Sequence, residues 1–234
     1  MNKEQFLNEC NNIGIIINEE KLNKLELYKN ELQEWNKKIN LTTIIDDNYI
    51  YLKHFYDSLC VVKATNFNNK KICDFGTGAG FPGMVLAIVF DNSTFVLLES
   101  NGKKVSFLEN LVKKLNIKNV TIINERVENY GRKNRDIFDI VTCRAVSNLN
   151  IIVELSISLL KVDGLFIPLK SNVEDELKNS EKKYKMLGYD LKSKIDYELP
   201  FEKSKRTLLI FRKISKTEIK YPRNYNIIKK ENSI

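Results

Sequence analysis

The sequence predicts an α/β fold, a doubly wound and mostly parallel sheet preceded by a helical cap. Three observations carry this expectation. From Lys70 onward, short apolar runs alternate with amphipathic helical stretches over about 100 residues, the pattern of repeated βα units. A glycine-rich turn, CDFGTGAGFPG at 73–83, follows the first of those runs. Before Lys70 the pattern is helical throughout.

In the N-terminal part, Leu22, Leu25, Leu32, Trp35 and Ile39 recur at three- and four-residue steps with Lys and Glu between them, so helix is expected within 3–46. Asn18 stands before Glu19 and Glu20 as the N-cap of one such helix. A second helical stretch is expected over about Asn48 to Ala64. Residues 1–66 are thus assigned to a helical cap and 67–234 to the α/β domain. The expected strands are KKICDF, STFVLLE, NVTIIN, DIVTCRA and GLFIPLK, with PGMVLAIVF, KKVSFLENLVKKL and LNIIVELSISLLK as helices between them. SNVEDELKNSEKKYKMLG is a polar helix ending at Gly188, and DLKSKIDYEL and KRTLLIFRK are close enough in sequence to pair antiparallel, for seven strands in total.

A hydrophobic content of 43% with one Trp, 10 Tyr and 12 Phe excludes a disordered chain. The start, MNKEQFLNEC, has charges where a signal peptide needs an apolar run, and no apolar stretch reaches the length of a membrane span. Cys10, Cys60, Cys73 and Cys143 are scattered without a C-x-x-C pair, so they are expected as reduced core cysteines of a cytoplasmic protein. A monomer is the default expectation. Net charge is +8; residues 203–234 hold ten Lys or Arg against Glu218 and Glu231, so residues 1–202 are balanced at 28 of each sign. A basic end on a neutral body suits a polyanion, most simply nucleic acid, although a solvated Lys-rich tail has the same composition.

The glycine-rich turn holds two overlapping fingerprints. From Gly76 it reads G-x-G-x-G with Asp74 two residues ahead; from Gly78 it reads G-x-G-x-x-G. The second register, that of a hydride carrier, would force the strand through Asp74 and Gly76, both poor strand residues. In the first register KKICD is the strand, Asp74 sits at its carboxyl end, and Gly76, Gly78 and Gly80 admit a ligand close to the backbone. An acid ahead of the glycines repels a pyrophosphate and suits a cationic, amino-acid-bearing ligand. Glu99 ends strand two, 23 residues after Gly76, where a carboxylate accepts both ribose hydroxyls of an adenosine. RVE at 126–128 follows strand three, where an acid and neighbouring backbone amides edge an adenine. Asp74 decides for a methyl donor, S-adenosylmethionine.

The chain closely resembles the bacterial small-subunit rRNA methyltransferase RsmG family, also called glucose-inhibited division protein B. The matching blocks are WNKKINLTTI (35–44), HFYDSL (54–59), DFGTGAGFPGMVLA (74–87), LLESNGKKVSFL (97–108), RVE (126–128), CRAV (143–146), LK (169–170) and YPR (221–223). The resemblance implies a class I, Rossmann-like methyltransferase that uses S-adenosylmethionine to methylate N7 of one guanosine, position 527 in the customary numbering, in the decoding-region loop of 16S rRNA. It implies the small ribosomal subunit or its precursor as partner. It also carries cofactor contacts onto Gly76, Phe81, Val127, Glu128 and Arg144, which join Asp74, Gly78 and Glu99. Thr77, Cys143 and Ser171 are small departures from the family's pattern. After YPR, NYNIIKKENSI replaces the usual ending with Gly and Pro.

Transfer to N7 needs no general base, because the attacking lone pair carries no proton; positioning should dominate. No N/D-P-P-Y/F tetrapeptide follows strand four, and Cys143 lacks the Pro-Cys partner of a cytosine C5 nucleophile, so it is taken as a strand residue. Arg144 is the one candidate for the transfer site. It can hold the cofactor's carboxylate or a phosphate of the flipped guanosine, or form a salt bridge with Asp74 or Glu128. His54, the only histidine, is one helical turn from Asp57 and could pair with it; HFYDSL is taken as an N-cap or lid element, not a base, with Asn40, Leu41 and Thr42 in the same lid. A lone His makes a poor metal site, and no metal is expected. RNA contacts are expected from Lys103, Lys104, Arg144, Lys170, Arg206 and the basic tail with Arg223, and the guanine platform from Phe81 or Arg144. Three other functions fit parts of the pattern: an NAD-dependent oxidoreductase, a ribosome-binding factor without transfer, and a small-molecule or protein methyltransferase.

Overall fold

The computed structural model describes residues 1–232. Its centre is a seven-stranded sheet in the order β3-β2-β1-β4-β5-β7-β6, formed by β1 (Lys71–Phe75), β2 (Thr94–Leu98), β3 (Val120–Ile123), β4 (Phe138–Arg144), β5 (Leu160–Lys170), β6 (Tyr189–Glu198) and β7 (Lys205–Lys213). β1 pairs in parallel with β2 and β4, and β7 runs antiparallel to both neighbours. Strand order reverses between β1 and β4, so the crevice at their carboxyl ends is the ligand position this topology creates.

The helices are α1 (Lys3–Asn12), α2 (Glu19–Asn36), α3 (Asp47–Tyr49), α4 (Asp57–Leu59), α5 (Gly83–Val89), α6 (Gly102–Lys114), α7 (Val127–Lys133), α8 (Leu149–Ile157), α9 (Glu174–Met186) and α10 (Tyr225–Glu231). Asn18 caps α2 as expected, its side chain accepting from the Lys21 N–H. α3 and α4 flank a π-helix, Ile50–Tyr56, and a 3-10 turn, Cys60–Lys63, follows, so the expected stretch is helical but widened in its middle. The polar helix stops at Met186, and Gly188 takes the left-handed backbone (φ +90°) that ends it.

Period-two alternation divides the core. Ile72, Phe95, Leu97, Ile140, Ile167 and Ile210 join the cap residues on one face, and Cys73, Phe75, Val141, Cys143, Phe166 and Phe211 join α8 on the other. α5, GMVLAIV, has no polar residue and is buried on every side; α2 and α4 cover what the sheet does not. α8 is buried except at Asn150 and is covered by α7, α9 and α10. The alternation that buries Ile72 and Ile140 beneath the cap also turns Asp74 and Arg144 to that side. All four cysteines are free and buried. No helix among the described residues is long and apolar enough to cross a membrane.

Candidate functional site

Gly76 follows β1 immediately, so the first glycine register is the one the fold uses. Gly76, Gly78 and Gly80 have φ of +63°, +62° and +103°. A Cβ on Gly76 would stand 2.7 Å from Val146 Cγ2, whereas one on Gly78 would meet nothing within 4 Å. The loop therefore packs tightly on the β4–α8 connection at its first glycine and opens at its second. Asp74 is fully buried; its Oδ2 accepts from Thr77 Oγ1 (2.6 Å) and the Gly83 N–H (2.8 Å), while Oδ1 has no partner. Burial pushes this carboxyl up to about 7, against the opposing pull of those two hydrogen bonds and of Arg144. Glu99 is 7% exposed, its Oε2 accepting from the Gly78 N–H (3.0 Å) and its Oε1 from the Asn101 N–H (2.8 Å). An orphaned buried carboxylate oxygen, open space beside Gly78 and a strand-end carboxylate fit a ligand that joins an adenosine to a cationic amino acid.

Beside this loop lies a cavity of about 160 Å³ whose walls include Gly76, Leu98, Val127, Glu128, Val146 and Tyr225. Val127 and Glu128 open α7, ahead of its first intrahelical donor, the Asn129 N–H (3.1 Å to the Arg126 carbonyl), and no side chain caps the helix. Gly76, at the start of the glycine loop, and RVE, separate in sequence, thus meet in one small pocket, whereas Asp74, Gly78 and Glu99 do not border it.

Arg144 faces a second, larger cavity, about 410 Å³, bordered by Lys53, His54, Asp57, Lys170 and Arg206. Its guanidinium donates to the Lys53 carbonyl (2.8 Å), contacts His54 Nδ1 (3.2 Å) and pairs with Asp57 Oδ2 (3.3 Å). The salt bridge is therefore with Asp57, neither Asp74 nor Glu128, because the cap brings Asp57 over the end of β4. His54 and Asp57 do not pair with each other; both turn to Arg144. His54 Nε2 is hydrogen-bonded to Thr42 Oγ1 (2.9 Å), and the ring stacks on Phe81 at 4.2 Å. Burial, then Arg144, lowers its pKa to about 3, which keeps it neutral. Phe81 is 6% exposed and also lies parallel to Tyr28 at 5.3 Å, with Arg144 5.1 Å from its ring centre. It is a spacer inside a stack, not an open platform for a base.

The expected RNA contacts separate into three places. Lys170 and Arg206 border the larger cavity, Lys170 paired with Glu176 (2.7 Å) and Arg206 with Asp57 (3.3 Å). Lys103 and Lys104 are at the start of α6 beyond the Asn101 cap; Lys103 is exposed and Lys104 half-buried. Arg223 borders neither cavity; it is closed on the buried Glu154 (2.8 Å) and on Glu231, so its charge is compensated within the fold. The basic end is in part knitted into the body, with Arg206, Arg212, Lys213 and Arg223 paired to Asp57, Asp163, Asp136 and Glu154. Cys143 is 1% exposed, with its thiol pushed well above the ordinary range by burial, which suits a core residue.

Sequence reasoning missed Tyr28, Lys53, the hub role of Asp57, and Tyr225. Tyr28 was legible in principle, since it continues the Leu25–Leu32 stripe; its hydroxyl donates to the Ala79 carbonyl (2.5 Å) and ties the cap to the glycine loop. The others have no local signal.

Gly76→Ala is expected to cost about 1–3 kcal/mol, from left-handed backbone and the clash with Val146. Because Val146 borders the small cavity, S-adenosylmethionine binding should weaken together with the melting temperature. Unchanged values for both in calorimetry would show that the loop is not the tight wedge described.

A family model described as rRNA small subunit methyltransferase G, GidB, matches residues 21–207. The ribosomal RNA small subunit methyltransferase G of Bacillus subtilis (strain 168) is 40% identical over 227 residues, 95% of each chain. That of Bacillus thuringiensis (strain Al Hakam) is 39% identical over 227 residues, again 95% of each. Among solved structures, TYW2 of M. jannaschii in complex with AdoMet has a TM-score of 0.56 at 17% identity, covering 76% of this chain and 80% of that one. A SAM dependent methyltransferase from Aquifex aeolicus has a TM-score of 0.55 at 15% identity, covering 78% and 98%. At such identities the shared feature is the fold, a Rossmann-like sheet flanked by helices.

Proposed function

The chain belongs to the rRNA small subunit methyltransferase G family, and on that premise we propose that it methylates N7 of a single guanosine, position 527 in the customary numbering, in the decoding-region loop of 16S rRNA. The observation that supports this reading is the adjacency of the two cavities. Arg144 and Ala145 border the larger one and Val146 the small one, so the end of β4 and the start of the following loop separate a small pocket beside the first glycine from a cavity edged by Lys53, Arg144, Lys170 and Arg206. Residues 1–66 act as a cap on the 67–234 methyltransferase domain, in a single chain that meets the small subunit or its precursor in the cytoplasm.

Bound S-adenosylmethionine supplies a methyl group activated on a sulfonium. Val127 and Glu128 would offer backbone N–H groups to its base, and Glu99, fixed by its bonds to the Gly78 and Asn101 N–H groups, would have lone pairs left to accept from its ribose. Asp74 places negative charge beneath the cationic end through the loop it braces. Arg144, held by Asp57, His54 and the Lys53 carbonyl, presents a fixed guanidinium to the acceptor nucleotide. Lys170 and Arg206 hold neighbouring phosphates, and Lys103 and Lys104 a more distant one. The chain's task is to align a nitrogen at about 3 Å from the methyl carbon, in line with the breaking bond. His54, kept neutral, has no proton to move.

Single-turnover transfer at saturating cofactor should therefore be flat between pH 6 and 9, and RNA with 7-deazaguanosine at the acceptor should receive no methyl group. A titrating limb that vanishes in a His54 variant, or methylation of the deaza substrate, would contradict the reading. Exchanging Lys203, Lys205, Lys216 and Lys230 together for Gln should weaken RNA binding and flatten its salt dependence by about 0.7 in log–log slope per lost phosphate contact. Cofactor affinity should not change. An unaltered slope would remove the basic end from the interface.

A further inference from the structure

The small cavity gains one wall from α10, a segment outside the glycine loop and the RVE turn. We propose that Tyr225, the first residue of α10, closes the outer side of the cofactor's base site and sets part of the affinity for the adenine. The inference rests on the reading of that cavity as the S-adenosylmethionine site and goes beyond it, because it assigns a binding role to a segment outside the motifs.

Tyr225 borders the cavity together with Val127, Glu128 and Val146 and is half-buried against the α8-side core. The ring is held by one cation and its helix is anchored separately. Arg126, immediately before the amides of Val127 and Glu128, places its guanidinium 5.6 Å from the ring centre. α10 is anchored by Ile228, fully buried, and by Arg223 on the buried Glu154. The preceding residues are tied to α7 and the chain after it: Arg132 donates to the Pro222 carbonyl (3.1 Å) and Arg135 to that of Tyr221 (2.7 Å). The C-terminal segment is thus bolted to the helix that supplies the base-edge amides and to the helix behind the pocket. An aromatic ring held there offers a preorganised apolar surface to a purine, with little ordering left to do on binding.

Calorimetric binding of S-adenosylmethionine and of methylthioadenosine, which has the base and ribose without the amino acid, should be measured for the full chain, Tyr225→Ala and Tyr225→Phe. The Ala variant should bind both ligands about tenfold more weakly, the order expected for loss of one base–aromatic contact. The Phe variant should recover most of the loss, and all three should melt alike without ligand. Equal losses for the two ligands place the contact at the nucleoside. Wild-type binding of S-adenosylmethionine with an Ala variant within twofold of it would overturn the role of Tyr225; failure of the wild type to bind either ligand would instead overturn the cavity assignment. Should the Ala variant melt early, Tyr225→Trp decides. Its added indole emission, over that of Trp35, should change on ligand addition if the wall touches the base, and an unmoved spectrum under saturating ligand would refute it.

Discussion

Asp74→Asn is expected to abolish a proton exchange linked to cofactor binding and to weaken S-adenosylmethionine about ten- to a hundredfold, the range for a lost charge-assisted contact. The carboxyl titrates near pH 7 in the ligand-free protein, raised from 3.8 chiefly by full burial. It is therefore partly protonated at neutral pH, and a cationic ligand favours its ionised form. Binding should release a proton from Asp74, and affinity should rise as pH increases through about 7 and then level. Stability of the ligand-free protein runs the other way. Between pH 3.8 and about 7 the folded state keeps a proton that the unfolded chain has lost, so raising pH through that window removes stability. The Asn variant should lack this decline. Calorimetry in two buffers of different ionisation enthalpy separates the Asp74 proton from any carried by the ligand's amino group. Identical proton release by wild type and variant would sink the assignment.

Asp57→Ala is expected to lower stability by about 2–4 kcal/mol and turnover by about a hundredfold or more, while changing cofactor affinity little. Asp57 is 3% exposed and joins four separate pieces of chain. From the end of the π-helix it receives Arg144 at the end of β4 (3.3 Å), Arg206 on β7 (3.3 Å) and the Tyr197 hydroxyl on β6 (3.1 Å). Removing it leaves two arginines crowded at a part-buried site and takes away the charge that holds Arg144 toward the acceptor. For a chain of this size the melting temperature should fall by about 4–16 °C. Asp57→Asn retains acceptor and shape for Tyr197 and should fall between the two. Wild-type melting and turnover in the Ala variant would mean that the hub is incidental.

The sheet was legible because its strands are short apolar runs bounded by Gly, Asn and Asp, and six of the seven lie within one residue of their expected bounds. β5 starts earlier, at Leu160, since the polar Lys161 and Asp163 lie where its register with β4 is broken. α7 and α10 escaped because each has seven residues and polar composition, and each is held by neighbours rather than by its own pattern. Within the site, local motifs revealed what a single turn of chain builds: Asp74, the glycines and Glu99. They did not reveal what the cap contributes, because those bonds span the chain; Tyr28 and Ala79 are 51 residues apart, and Asp57 and Arg144 are 87. The π-helix had no signal either. Its residues satisfy an α-helical pattern equally well.

The most direct test of the central claim is methyl transfer from labelled S-adenosylmethionine to small ribosomal subunits from cells lacking this gene, with the label mapped by nucleotide. A single 7-methylguanosine in the decoding-region loop is the predicted result, lost in Arg144→Ala. Label at another nucleotide or another atom, or none despite measured cofactor binding, would contradict it.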